Sequence, residues 1–248
     1  MDTALCVGQF RINLDTTDST NSVAAAHAMD AANHGLVVTA GTQSAGRGQY
    51  QRVWQAPAGS SVLMSVLLFP PESLRRPSLL TAWAAVAVCG AVVRITGIRP
   101  SLKWPNDVLI DGRKVCGILC ESGTHHVVAG IGFNVNQSIE DFARMQLPDA
   151  TSLAICSNRR LDVGEVTAIL IEQLDEEYCR LRDGQLFDVE QRWSDLFGLI
   201  GREVLIDRMD SSRMVGTLRS MSFQEIVIEQ AEAIQQVPPE AIRHLRAI

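Results

Sequence analysis

Two lysines near the middle of the chain are the residues best suited to chemistry. Lys103 begins the segment KWPND and Lys114 lies in RKVCGIL, on the two sides of an Asp-Gly turn. A lysine on an apolar strand is costly to bury without an anionic partner, so two lysines flanking one hairpin indicate a site that holds negative charge. Asn106 and Asp107 add oxygens suited to Mg²⁺ or a polarised water. The alternative is a pair of exposed lysines at strand ends.

A glycine-rich segment, GRGQYQRVW at residues 46–54, follows Gln43. Glycine lets the backbone approach a phosphate closely, and arginine supplies charged donors to it. Arg47, Arg52 and Trp54 within one such loop therefore favour closure over a nucleotide, whereas most glycine-rich segments are simple turns. The GxxxxGK[ST] spacing of a Walker loop is absent.

Two further motifs carry weaker signals. The sequence DSTN at residues 18–21 can act as a helix N-cap, and its hydroxyl and amide groups can also ring a small polar head group inside an apolar pocket. The sequence GIGFNVN at residues 130–136 combines a Gly-x-Gly turn with two alternate asparagines. That pattern suits binding of an adenosine or a phosphate, but a tight turn alone also explains it.

The elements that must position these motifs form a mixed pattern of helices and strands. Apolar periodicity predicts helices over 20–33, 79–93, 164–182 and 187–197. Apolar runs predict strands over 36–43, 61–69, 101–111, 114–122 and 126–136, with the Asp-Gly turn marking a hairpin. The sequence pattern changes near Leu199. Beyond it, short apolar runs separated by polar residues predict the short strands of a small β barrel.

Composition narrows the class of protein. The chain has 248 residues, a formal net charge of -6 and six cysteines without CxxC spacing. This acidic balance disfavours nonspecific binding to nucleic acid or a membrane surface. The longest apolar stretch, at 79–93, is too short for a confident membrane span, and no signal peptide is apparent. These features predict a cytoplasmic protein with reduced thiols.

Taken in order, DSTN, GRGxxxRxW, KWPND, RKxxGIL and GIGxNVN resemble the catalytic module of biotin protein ligases. The resemblance covers most of the chain. It implies an α+β fold, with a mixed-sheet, class II synthetase-like catalytic domain over residues 1–198 and a small C-terminal SH3-like β barrel over 199–248. The implied activity is ATP-dependent formation of biotinyl-5′-AMP and transfer of biotin to a specific lysine of a biotin carboxyl carrier protein.

The same resemblance implies roles for individual residues. The implied catalytic residues are Lys103 and Arg47. The implied biotin-binding residues are Ser19, Thr20, Asn21, Gln43, Gly46, Arg47, Gly48, Gln49, Lys114 and Gly117. The implied ATP-binding residues are Arg52, Trp54, Asn106, Asp107, Lys114, Gly132 and Asn134. The protein alone provides no metal site, and Mg²⁺ is expected to enter with ATP near Asn106 and Asp107.

The glycine loop departs from the family's usual GRGRxGRxW at two positions. Gln49 stands in place of an arginine and Gln51 in place of a glycine. Glutamine still donates hydrogen bonds but carries no charge, and a hydrogen bond to a charged group is worth roughly 1.5–3 kcal/mol. We therefore expect the activated intermediate to be held less tightly than in relatives with the arginine.

Several alternatives stay open at this level. A lipoate or octanoate protein ligase or transferase shares the implied fold, and a noncatalytic biotin-binding regulator would retain the pocket. Some relatives carry an N-terminal DNA-binding winged helix, for which there is no room before Asp18. We expect a ligase without repressor function, with a carboxylase acceptor domain as partner and with no nucleic-acid or membrane partner. Neither the identity of the acceptor nor the choice between monomer and homodimer follows from the residues.

Overall fold

A computed structural model describes residues 5–231 and 233–248, and its larger sheet has seven strands. The strands are β1 (Arg11–Thr17), β2 (Leu36–Gln43), β3 (Ser61–Leu68), β4 (Ser101–Lys103), β5 (Asp107–Ile110), β6 (Arg113–Ser122) and β7 (Val127–Asn134). They lie in the order β1-β2-β3-β7-β6-β5-β4. Only β1 and β2 pair in parallel, and the other neighbours are antiparallel. The sheet is therefore mixed, which confirms the α+β class.

Six α-helices accompany the sheet in the described part of the chain. They are α1 (Thr20–Ala26), α2 (Pro77–Thr96), α3 (Ile139–Arg144), α4 (Leu153–Ser157), α5 (Val163–Arg182) and α6 (Leu186–Phe197). The helix α2 is long and apolar enough to cross a membrane, but 72% of its most apolar stretch is buried inside the protein. Trp83 on α2 donates from Nε1 to the carbonyl of Leu174 at 3.1 Å. The helix α2 is thus the core element between the sheet and α5.

A second sheet follows α6 and contains five antiparallel strands. They are β8 (Glu203–Arg208), β9 (Arg213–Met221), β10 (Ile226–Gln230), β11 (Ala233–Val237) and β12 (Ile242–Ala247), in the order β11-β10-β9-β8-β12. The sheet joins the rest of the protein through Trp104, whose Nε1 donates to the carbonyl of Ile242 at 3.1 Å. The Trp104 ring also packs on Trp193 and Phe197 of α6. This arrangement fits a small C-terminal β unit.

Two of the predicted elements were wrong in extent. The single strand expected over 101–111 is two strands, β4 and β5, separated by a turn at residues 104–106. Pro105 lies in that turn and has no N–H for a ladder hydrogen bond. The helix expected over 20–33 ends at Ala26 and is followed by a separate 3-10 turn, Ala31–Asn33. Asp30 begins that turn by accepting from the backbone N–H of Ala32.

The Trp104 contact yields a test of how the second sheet is held. Trp104→Phe removes the donor to Ile242 and leaves that carbonyl without it, at a cost of about 1–3 kcal/mol in the free energy of unfolding. We expect faster hydrogen exchange confined to β8–β12. Trp83→Phe is the matched control, because it removes the same kind of bond from the main core. If β12 were equally protected from hydrogen exchange in both variants, the Trp104–Ile242 hydrogen bond would not be what holds the second sheet.

Candidate functional site

A cavity of about 810 Å³ opens between the larger sheet, the glycine loop and the second sheet. The predicted residues that line it are Ser19, Thr20, Asn21, Gln43, Arg47, Gly48, Gln49, Arg52, Trp54, Lys103, Asn106, Asp107, Lys114, Gly117, Gly132 and Asn134. Gly46 lies behind this lining, where an added Cβ would be 2.6 Å from the Trp54 carbonyl. The structure therefore brings the five separate motifs together.

One end of the cavity is a network of hydroxyl and amide groups. The backbone N–H and the hydroxyl of Thr20 both donate to Gln43 Oε1, at 2.7 and 3.0 Å. The buried Ser65 hydroxyl lies 2.5 Å from Asn21 Oδ1 and 2.7 Å from Thr20 Oγ1. Because Asn21 Oδ1 can only accept, the Ser65 proton points to it. These bonds fix the orientation of the Asn21 and Gln43 amides.

Arg47 of the glycine loop pairs with Glu121 at the end of β6. The guanidinium donates from Nε and Nη2 to the two carboxylate oxygens of Glu121 at 3.2 and 2.9 Å, and from Nη1 to the Ser22 hydroxyl at 3.0 Å. Glu121 also accepts from Asn21 Nδ2 at 2.7 Å. The loop and the polar end of the cavity therefore share one carboxylate.

The charge state of Glu121 depends on these partners. Burial acts to raise the pKa of the Glu121 carboxyl, but hydrogen bonds from Arg47 and Asn21 outweigh it, so the pKa is lowered. The hydrogen bond with Glu121 in turn raises the pKa of Arg47. A lowered carboxyl pKa stabilises the folded state above the ordinary glutamate pKa, and this contribution is lost as the pH falls through the lowered value.

The lysines face the middle of the same cavity. Lys114 Nζ lies 2.6 Å from Asp107 Oδ1 and 5.6 Å from the centre of the Trp54 ring. Lys103 at the end of β4 is exposed and lines the cavity. These are the two lysines of the chain, whose other cationic side chains are arginines and histidines. Lys114 is therefore paired with a carboxylate, whereas Lys103 is an exposed lysine at a strand end, and binding of an anion between them stays a prediction.

A pair of glycines makes room for the Trp54 ring. Gly117 of β6 and Gly132 of β7 are direct neighbours in the sheet. An added Cβ at Gly117 would lie 3.0 Å from both Trp54 Cζ3 and Lys114 Nζ, and one at Gly132 would collide with the ring. Trp54 Nε1 is buried and has no hydrogen-bond partner among the described residues. The two glycines thus hold the ring against the sheet, with its N–H buried and unpaired among the described residues.

The two predicted asparagines differ in what they can offer. Asn106 Nδ2 donates to the carbonyl of Ile118 at 2.6 Å, which fixes the turn between the lysines. Asn134 donates to the Thr151 carbonyl and accepts from Gln137 Nε2, at 3.0 and 2.9 Å. These two bonds fix the orientation of the Asn134 amide at the cavity wall, and its oxygen, unlike that of Asn106, already accepts a hydrogen bond within the protein.

Some of the polar network behind the cavity, and some of the residues that line it, were not predicted from the sequence. Ser65 and Glu121 are central to the polar network, and each is a polar residue within an apolar strand, a signal that could have marked them. The β12 residues His244, Leu245 and Arg246 also line the cavity. The Tyr50 ring of the loop lies 6.4 Å from the His244 ring. The second sheet therefore closes one side of the site.

Comparison with known proteins is consistent with this geometry. Residues 14–134 match the Biotin/lipoate A/B protein ligase family. The chain is 32% identical over 214 residues to a biotin--[acetyl-CoA-carboxylase] ligase of Mycobacterium tuberculosis, covering 84% of this chain and 78% of the relative. It is 39% identical over 171 residues to the bifunctional ligase/repressor BirA of Bacillus spizizenii, covering 66% of this chain but only 53% of that relative. The match thus spans about half of the latter protein.

A solved structure is similar over nearly the whole chain. The biotin protein ligase from Aquifex aeolicus in complex with biotin and ATP superimposes with a TM-score of 0.80. The two sequences are 26% identical, and the match covers 97% of this chain and 100% of the other. The fold around the cavity is therefore that of a protein crystallised with both small molecules.

The Arg47–Glu121 pair yields a prediction about the loop. Both side chains are partly exposed, so the pair is worth only about 0.2–1 kcal/mol. We expect Glu121→Gln to speed hydrogen exchange at residues 46–54 by about 1.4- to 5-fold. Lowering the pH through the lowered pKa of Glu121 should also speed exchange at residues 46–54 in the unmodified chain. It should have no such effect in Glu121→Gln, which has no carboxyl group at this position.

Glu172→Gln is the control for this measurement, since Glu172 pairs with Arg94 at 2.6 Å on the surface and does not line the cavity. Loop exchange that is unchanged in Glu121→Gln, or equally changed in Glu172→Gln, would show that the pair does not hold the loop.

Proposed function

This chain belongs to the biotin/lipoate A/B protein ligase family, and we propose that it is an ATP-dependent ligase that attaches biotin to a lysine of an acceptor protein. The observation that carries the proposal is the convergence of Lys103, Lys114 and Arg47 on a cavity with a polar end built from Thr20 and Gln43. The named relatives are biotin ligases, so the lipoate alternative is not favoured.

In the first proposed step, the biotin carboxylate attacks the α-phosphorus of ATP. A carboxylate–phosphorus bond forms, the bond to the bridging oxygen breaks, and pyrophosphate leaves with its electron pair. Both reactants are anionic, so the barrier includes their repulsion. Lys103 and Lys114 would offset it at the reacting centre, and closure of the Arg47 loop would exclude water from the anhydride.

ATP is proposed to enter as its Mg²⁺ complex. Asp107 Oδ1 is engaged by Lys114, which leaves the other carboxylate oxygen, while Asn106 donates from Nδ2 and keeps Oδ1 for a metal or water. Mg²⁺ retains several waters and phosphate oxygens and needs only one or two protein ligands, so this donor set fits an ion carried by phosphates. The ion would supply charge neutralisation on the departing pyrophosphate.

In the second proposed step, the amine of an acceptor lysine attacks the carbonyl carbon of biotinyl-5′-AMP. A carbon–nitrogen bond forms, AMP leaves, and the amine proton is lost to solvent. The acceptor is proposed to be a biotin acceptor domain of a carboxylase. We propose that the reaction takes place in the cytoplasm and involves neither nucleic acid nor a membrane.

We further propose that residues 199–248 form an SH3-like unit beside a catalytic domain of residues 1–198, in a monomer or homodimer.

The direct test is mass spectrometry of a biotin acceptor domain after incubation with the protein, ATP, Mg²⁺ and biotin. We expect one added biotin, no reaction with lipoate, and a loss of about 10²–10³-fold in biotin-dependent ATP–pyrophosphate exchange for Lys103→Met. Arg94→Met, a cation outside the cavity, should retain activity. An unmodified acceptor, or full exchange by Lys103→Met, would overturn the assignment.

Binding can be separated from chemistry in the same protein. Since the chain has two lysines, both in the cavity, reductive methylation followed by peptide mapping reports on the exposure of each, separately from the N-terminal amine. Biotin with ATP should slow methylation of both side chains. Protection without acceptor modification would support the noncatalytic biotin-binding alternative.

Gln49 yields a prediction about release of the intermediate. It lines the cavity on the 3-10 turn Gln49–Gln51, where an arginine would place a charged donor. We expect Gln49→Arg to slow the escape of biotinyl-5′-AMP in single turnover by about tenfold or more, from the ~1.5–3 kcal/mol of a charged hydrogen bond. Gln191→Arg adds the same charge on the exposed surface of α6 and should change nothing. Escape from Gln49→Arg as fast as from the unmodified chain would contradict the idea.

A further inference from the structure

Two cysteines outside the cavity lie in direct contact. Cys6 Sγ is 3.3 Å from Cys179 Sγ on α5, although the two residues are far apart in the sequence. Arg182, one turn later on α5, places Nη1 at 2.8 Å from Cys6 Sγ. Both thiols are half-buried and free in the structure. Neither residue lines the cavity, so the proposed ligase reaction does not use them.

The contact joins the start of the larger sheet to the helical layer. The backbone N–H groups of Cys6 and Val7 donate to Asp175 Oδ1 of α5 at 2.6 and 2.8 Å. Two residues later Gly8 donates to the carbonyl of Gly35, and the chain continues into β1. The edge strand β1 leads directly into Ser19 and Thr20 of the cavity. A covalent bond here would hold that strand at its beginning.

We propose that Cys6 and Cys179 form a reversible disulfide by exchange with a small oxidised disulfide such as oxidised glutathione. The Cys6 thiolate attacks one sulfur of the oxidant, a sulfur–sulfur bond forms, and one glutathione thiolate leaves. The Cys179 thiolate then attacks the Cys6 sulfur and the second glutathione thiolate leaves. The two protons from the cysteines go to the leaving thiolates, so two protein thiols are oxidised and one small disulfide is reduced to two thiols.

The environments of the two sulfurs indicate the order of attack. Reactive cysteines lie in electropositive, partly exposed surroundings, and Cys6 is the sulfur that has the Arg182 guanidinium beside it at 2.8 Å. Burial raises the pKa of Cys179 to about 12, so Cys179 is the poorer first nucleophile of the pair. Cys6 is therefore the attacking thiol and Cys179 the resolving thiol.

The same cluster is a poorer fit to a metal ion. Cys6, Asp175 and Cys179 bring their ligand atoms within 4.8 Å of one another. However, Asp175 Oδ1 already accepts from two backbone N–H groups, and Arg182 already supplies the positive charge at Cys6. A zinc ion would have to displace the arginine, and zinc sites usually have four ligands.

The test uses the full chain, first reduced and then incubated with oxidised glutathione. Peptide mapping should find Cys6 linked to Cys179, and thermal unfolding of the oxidised protein should shift upward by roughly 4–12 °C. Cys6→Ser and Cys179→Ser should show neither change while matching the reduced chain in biotin-dependent exchange. Cys156→Ser, another half-buried cysteine, should behave like the unmodified chain, and Arg182→Gln should slow the first step several-fold.

Three results would overturn the proposal. They are accumulation of the Cys6–glutathione adduct without resolution, formation of a different cysteine pair, and stoichiometric zinc binding by the reduced protein that is lost in Cys6→Ser. None of these depends on ligase activity, so failure here is distinct from failure of the proposed function.

Discussion

The proposed reaction depends on holding cationic side chains in a cavity before any anion arrives. A partly buried charge that has lost hydration is costly unless it is paired. The protein pairs Lys114 with Asp107 and Arg47 with Glu121. Under the proposed function, an incoming carboxylate or phosphate would compete with these carboxylates, so the electrostatic part of its binding free energy would be a difference between two ion pairs. A ligand with concentrated negative charge would gain most from that exchange, which would link charge pairing to specificity.

Two glycines of the larger sheet help to set the position of the paired Lys114. Gly117 and Gly132 face each other on β6 and β7, and the missing side chains let Trp54 lie flat against the strands. Lys114 then sits over the ring and beside Asp107. A side chain at either glycine would displace the aromatic platform and, with it, the ammonium group. The glycines therefore contribute to the position of Lys114 along with its carboxylate partner, Asp107.

Local spacing in the sequence predicted the hairpin that carries the two lysines, and the family resemblance added the distant motifs. Lys103 and Lys114 flank one hairpin, so spacing alone indicated that they share a site, whereas GIGFNVN on the neighbouring strand was joined to them by the resemblance. Ser65 and Glu121 reach the site because of how β3 and β6 pair with β7, and no local sequence pattern encodes that pairing register. The strand β1 was missed because its apolar face consists of only two half-buried side chains, Ile12 and Leu14, in an otherwise polar and mostly exposed segment. Register and edge position are set by pairing across the sheet, and a linear pattern carries little of either.

The glycine loop shows why the second sheet matters to this particular chain. Tyr50 and Gln51 adopt φ angles of 56° and 62°, the left-handed region that favours glycine. Such residues cost of order 1–3 kcal/mol each, which exceeds the ~0.2–1 kcal/mol of a partly exposed pair such as Arg47–Glu121. The Tyr50 ring, however, packs near His244 and lies 6.0 Å from the Arg243 guanidinium. An exposed cation–π contact is worth only about 0.5–1 kcal/mol, so contacts from β12 offset part of the strain, and glycine at position 51 would avoid the share that Gln51 adds.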